Sequence, residues 1–192
     1  MPLLLTSTFI LFAVIGRIAI QFWYTGDHGV RLANSSAPLA EKVPGLMFVL
    51  SFLVSTVLTV LYDVELVHAD IIAPSVVSLN AAVIGFIGIA VVVIAQVQMG
   101  RSWRIGVQQS ESTDLISSGL YSKSRNPIYF GILLYWVAMC VTLPQPAIWL
   151  CAAICWLSIE LIVRTIEEPY LQRVHGAAFE DYCRTTRRYL IL

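Results

Sequence analysis

Residues 128–163 read IYFGILLYWVAMCVTLPQPAIWLCAAICWLSIELIV, and only one residue in the stretch, Glu160, carries a charge. A surface this apolar needs hydrocarbon around it rather than water. The stretch is interrupted once, at Pro144-Gln145-Pro146. Each proline lacks an N–H and cannot continue a helix, so the segment is a turn. The reading is two short apolar helices, 128–143 and 147–163, forming a tight antiparallel hairpin. At about 1.5 Å per residue each falls a little short of about 30 Å of hydrocarbon.

Three further apolar stretches precede them, at about 3–24, 44–62 and 75–97. The expected architecture is therefore an all-α integral membrane bundle of about five transmembrane helices. No internal repeat or low-complexity linker divides the chain, which reads as a single domain over 1–192. Composition agrees. Of 192 residues 58% are hydrophobic and 12% are charged, against about 25% charged in soluble domains, and mean hydropathy is +0.78. A net charge of zero offers nothing to attract nucleic acid. Cys140, Cys151 and Cys155 lie in apolar runs, and with Cys183 they form no CxxC pair. They read as small hydrophobes, and no metal site is expected. The first apolar run has no preceding cation and no clear cleavage site, so it is expected to be a retained helix.

Lysine and arginine set the expected orientation. With five spans, eleven of the twelve basic residues fall on one side: Arg31 and Lys42, then Arg101, Arg104, Lys123 and Arg125, then Arg164, Arg173, Arg184, Arg187 and Arg188. The opposite side carries Asp63, Glu65 and Asp70 with no Lys or Arg. The N-terminus is expected outside and the C-terminus in the cytoplasm. The twelfth cation, Arg17, lies within the first span, where it either snorkels to the headgroups, finds a structural partner or serves a substrate. Gly85 and Gly88 are suited to close helix packing.

Polar information is concentrated in two cytoplasmic segments, 100–131 and 160–190. Asn126-Pro127 reads as a helix start, with Asn at the N-cap and Pro at the first helical position. Arg125 stands just before it. Such an end suits a carboxylate or phosphate, and it is equally well read as a capped helix beside an interfacial cation. Glu160, Arg164, Glu167, Glu168 and Leu171 recur at helical spacing. They form either a solvated salt-bridge ladder or a surface for an ammonium, a sulfonium or ribose hydroxyls. Pro169 should bend the helix that carries them. No P-loop, GxGxxG, HExxH or Ser-His-Asp pattern is present.

Gly119-Leu-Tyr121, Arg125-Asn126-Pro127-Ile128-Tyr129 with Gly131, and Glu167-Glu168 with Leu171, Gly176, Phe179, Tyr182 and Arg188 together resemble the membrane methyltransferases related to isoprenylcysteine carboxyl methyltransferase, a pattern shared by the phospholipid N-methyltransferases. The resemblance covers about 100–188. It implies an enzyme that binds S-adenosyl-L-methionine at the cytoplasmic face, in a helical region over about 100–190. Carried over by match, the cofactor residues are Asp114, Leu115, Ile116, Gly119, Tyr121, Asn126, Pro127, Ile128, Tyr129 and Glu167. Arg125, Arg164 and Glu168 are the candidates for the acceptor side of the reaction. The implied acceptor is lipophilic, a small molecule or a lipid reached from the surrounding membrane lipids. A carboxylate or thiol of the isoprenylcysteine type comes first, a phospholipid amine is the alternative, and a non-catalytic membrane scaffold is a third reading. Asn126 stands where the prenylcysteine enzymes usually carry His, and Asn occurs more among bacterial and lipid-directed relatives.

Overall fold

The computed structural model describes residues 1–28, 39–69, 71, 73–103 and 114–189. Arg31, Asp70, Arg104 and the 104–113 part of the expected cofactor region lie outside them. Among the described residues every regular element is helical. In chain order these are α1 (Pro2–Thr25), α2 (Leu39–Asp63), α3 (Ser75–Met99), α4 (Pro127–Thr142), α5 (Pro146–His175) and α6 (Ala177–Thr185), with a 3-10 turn at Gly119–Ser122.

Four of these, α1, α2, α3 and α5, are long and apolar enough to cross a membrane. α4 is a shorter apolar helix of 16 residues, about 24 Å long. The bundle turns large apolar side chains outward along its length, among them Leu11, Phe12, Leu53, Ile87, Ile94 and Leu150. This is the surface of an integral membrane protein, in which hydrocarbon does the solvating. α5 has 30 residues, and about 20 suffice to cross. From Arg164 onward α5 carries Glu167, Glu168, Arg173 and His175, and this polar stretch is not needed to cross the hydrocarbon.

Close approach of α3 and α4 organises the interior. A Cβ on Gly88 would stand 2.5 Å from the Gly131 carbonyl, and one on Gly85 would stand 2.7 Å from the Ala138 Cβ. The expected glycine contact is therefore present, and it faces α4. The hairpin expectation needs correction. The turn lies at Pro144-Gln145, and the Gln145 amide ties it to the His68 carbonyl of the opposite loop. The two helices it joins do not pack chiefly on each other: α4 lies along α3, and α5 lies along α2. The glycine seam draws α4 to α3. Buried Ser51, Ser55 and Thr59 on α2 leave room for α5. An aromatic cluster fills the centre, with Phe9 5.0 Å from Phe52 and 4.7 Å from Tyr135.

Arg17 does not snorkel. It is 3% exposed, donates to Gln21 Oε1 at 2.8 Å and to the Gly100 carbonyl at 2.5 Å, and stands 4.8 Å over the Trp103 ring. A cation at the C-terminal end of α3 meets the negative end of that helix. Gln96 donates to the Ala13 carbonyl at 3.0 Å, within the π-helical stretch Phe9–Gly16 of α1. The basic end of α1 is thereby tied to the segment leading toward the motif region. All four cysteines are free thiols, and Cys151 and Cys155 are buried four residues apart on α5.

Candidate active site

The site forms where the start of α4, the end of α5 and the C-terminal segment meet. Asn126 occupies the N-cap and Pro127 the first helical position of α4, as the sequence suggests, but the Asn126 side chain does not cap the helix. Its amide donates to the Arg188 carbonyl at 3.2 Å. The N–H groups of Ile128 and Tyr129, in the first turn, have no intrahelical acceptor and gain none from Asn126.

Residues 186–189 run back along 124–126. The Arg125 N–H donates to the Arg187 carbonyl at 2.8 Å, and Ser124 Oγ donates to the Arg188 carbonyl at 3.1 Å. The Arg125 guanidinium donates to the Thr186 carbonyl at 2.8 Å and to Glu168 Oε1 at 3.0 Å. Arg188 closes on both oxygens of Glu168, at 2.9 and 2.7 Å. Tyr189 donates to Glu160 at 2.7 Å and packs on Trp156. Three separate parts of the chain are pinned together here by charge-assisted bonds.

Glu167 turns elsewhere. The Tyr129 hydroxyl donates to its Oε1 at 2.6 Å. The adjacent carboxylates titrate in opposite directions. Burial raises the Glu167 carboxyl, the Tyr129 bond opposes this, and the charge of Glu168 adds to the rise. Burial also acts to raise Glu168, but hydrogen bonds and charge from Arg188 and Arg125 outweigh it and hold the carboxyl below its ordinary value. Only Glu160 and Arg164, bonded at 2.5 Å, take the form of the salt-bridge ladder. Glu167 and Glu168 have partners on other elements.

The glycine turn forms the adjoining wall. Gly119 has φ +62°, and a Cβ there would stand 2.6 Å from the Gln98 side chain. The positive φ favours glycine, and a side chain there would displace the Gln98 amide from its place. Gln98 Oε1 accepts the Leu120 N–H at 2.8 Å, and Tyr182 donates to the Tyr121 carbonyl at 2.6 Å. The Tyr121 hydroxyl is buried with no hydrogen-bond partner among the described residues. Burial raises its proton affinity well above that of an ordinary phenol, and the nearby Glu167 charge raises it further. Asp114 is exposed and Leu115 and Ile116 are half-buried in the irregular segment before this turn.

Of the expected site residues, Arg125, Asn126, Pro127, Ile128, Tyr129, Glu167 and Glu168 come together around the α4 start, and Tyr121 lies within electrostatic reach of Glu167. Arg164 stands apart on the exposed side of α5, bonded to Glu160. The sequence reading did not anticipate Arg188 as the fork on Glu168, or Gln98 as the acceptor beneath the glycine turn. Both contacts are long-range, and a polar residue at the end of an apolar span was the only local signal for Gln98. Among the described residues no group of His, Cys, Asp and Glu side chains is placed to hold a metal ion.

Fold and site together define a polytopic membrane protein whose basic end brings together carboxylates, tyrosines and the uncapped start of α4. The sequence model of the phospholipid methyltransferase family matches residues 77–178, from the first turn of α3 into α6 and more than half of the chain. The protein belongs to the phospholipid methyltransferase family, which makes it a membrane methyltransferase acting on lipid. No curated protein matches it.

Proposed function

We propose that this protein transfers a methyl group from S-adenosyl-L-methionine to the amine headgroup of a membrane phospholipid at the cytoplasmic face. The observation that carries the reading is the Tyr129–Glu167 pair at 2.6 Å, set beside a helix start whose N–H groups are uncapped. Family membership and Asn126 favour a phospholipid over a prenylcysteine.

The residues present fit the cofactor. The N–H groups of Ile128 and Tyr129 are suited to a carboxylate, Glu167 to an ammonium or ribose, and the unpartnered Tyr121 hydroxyl to one further polar group. The resemblance adds Asp114, Leu115, Ile116 and Gly119 to the residues that would hold the cofactor. S-adenosylmethionine, when bound, supplies an electrophilic methyl group on a sulfonium. The chain's part is to bind, align and exclude water. An amine that arrives unprotonated attacks directly, so no protein base is required. Glu168, with both oxygens engaged by arginines, is a framework residue rather than a base.

The test uses purified protein in vesicles of phosphatidylethanolamine with methyl-labelled S-adenosylmethionine. Label is expected in the lipid headgroup. Label that appears only in an added prenylcysteine, as its methyl ester, overturns the headgroup reading and restores the isoprenylcysteine type.

A further inference from the structure

Asn126 stands at the N-cap of α4, yet its side chain bonds elsewhere. The Arg188 carbonyl accepts its amide at 3.2 Å and the Ser124 hydroxyl at 3.1 Å. We infer that Arg188 is a positioning residue: its carbonyl holds the Asn126 side chain off the first turn of α4 and so keeps the Ile128 and Tyr129 N–H groups open for a ligand carboxylate. That this carboxylate belongs to S-adenosylmethionine rests on the proposed function.

Three observations carry the inference. First, Asn126 has a bond to give up. An Asn at the N-cap ordinarily turns its side-chain oxygen onto the N–H of the second or third helical residue, here Ile128 and Tyr129. The Asn126 backbone, at φ −131° and ψ 57°, lies off the extended conformation that an N-cap usually takes. Second, the diverting carbonyl has a fixed place, because the chain is anchored on both sides of it. The Arg188 guanidinium forks both oxygens of Glu168, and Tyr189 donates to Glu160 at 2.7 Å. The Arg187 carbonyl accepts the Arg125 N–H at 2.8 Å. Third, the open turn lies among polar groups. Tyr129, within that turn, bonds Glu167 at 2.6 Å. The Tyr121 hydroxyl, in a residue 6% exposed, has no hydrogen-bond partner among the described residues. A helix start closed by its own side chain would add no donors to this group.

Hydrogen exchange at the Ile128 and Tyr129 amides, read beside titration with S-adenosylmethionine, tests the role. In the parent both amides should exchange faster than those of the next turn. Arg188→Ala unfastens the carbonyl, and the released Asn126 side chain should then cap the helix. Exchange at 128 and 129 should slow roughly fivefold and the Kd for S-adenosylmethionine should rise roughly fivefold, as for one N-cap bond. Loosening alone speeds exchange, so the sign separates positioning from general support. Arg188→Ala combined with Asn126→Ala removes the cap and should restore fast exchange and most of the affinity. If Arg188→Ala does not fold, Asn126→Asp replaces it. A carboxylate cannot donate to the Arg188 carbonyl but can cap, so exchange at 128 and 129 should again slow. Protected amides in the parent, unchanged or faster exchange in the folded single variant, or a double variant that behaves like Arg188→Ala overturns the inference. The exchange measurement needs no cofactor. If exchange responds as expected and the parent binds no S-adenosylmethionine, the positioning role stands and the cofactor reading fails.

Discussion

Arg188 reaches back twenty residues to close a two-bond fork on Glu168, at 2.9 and 2.7 Å. With Arg125 on the same carboxylate, the fork joins the end of α5, the start of α4 and the C-terminal segment. The adjacent carboxylate, Glu167, is left to Tyr129. One residue of the pair is consumed by the frame, and the other is held by a single phenol.

The frame should fail in acid. The folded-state affinity of Glu168 for a proton is lowered, so its contribution is fully present above the ordinary carboxylate range and is lost as pH falls through the lowered value. Glu168→Gln should cost roughly 1.5–3 kcal/mol, as for hydrogen bonds to charged groups, and should flatten the acid limb of the melting curve. Thermal melts of parent and variant across acid pH check this. Parallel acid limbs in the two proteins would show that other carboxylates carry the transition.

Glu167 should govern cofactor binding, with its own pH dependence. Its carboxyl is raised, and an ammonium or ribose is held better by the carboxylate. Affinity for S-adenosylmethionine should therefore rise with pH through a value above the ordinary carboxylate range. Charge-assisted bonds worth about 1.5–3 kcal/mol correspond to a ten- to hundredfold weaker Kd for Glu167→Gln, with the pH dependence abolished. Calorimetric titration at several pH values decides it. A variant that melts normally and binds as tightly as the parent removes Glu167 from the site.

The placement of Lys and Arg predicts the orientation. In a cysteine-free background, a thiol at Glu65 should react with a membrane-impermeant reagent added outside sealed, right-side-out cells, and thiols at Lys123 and Arg187 should react only after permeabilisation. Reaction of Arg187→Cys in intact cells would place the candidate site on the outer face.

The helical class, the places of the spans and the motif residues were legible in the sequence because each depends on local chemistry. Apolar length demands hydrocarbon, Pro144 and Pro146 break a helix, and Asn126-Pro127 starts one. Gly85 and Gly88 could be read as packing positions, but their partner could not, since Gly131 and Ala138 lie more than forty residues away. The likeness of 100–188 to known methyltransferases implied a cofactor role for Glu167 and an acceptor role for Glu168. What each carboxylate bonds was decided by tertiary structure. The two carboxylates share a sequence environment and differ in what the fold brings to them: two guanidiniums from residues 125 and 188 for one, a buried phenol from residue 129 for the other. Arg17 shows the same limit. Its charge inside an apolar span demanded a partner, and only the packing of α1 against the end of α3 could supply the Gly100 carbonyl and the Trp103 ring, because the energy of a buried charge depends on neighbours that are near in space and distant in sequence.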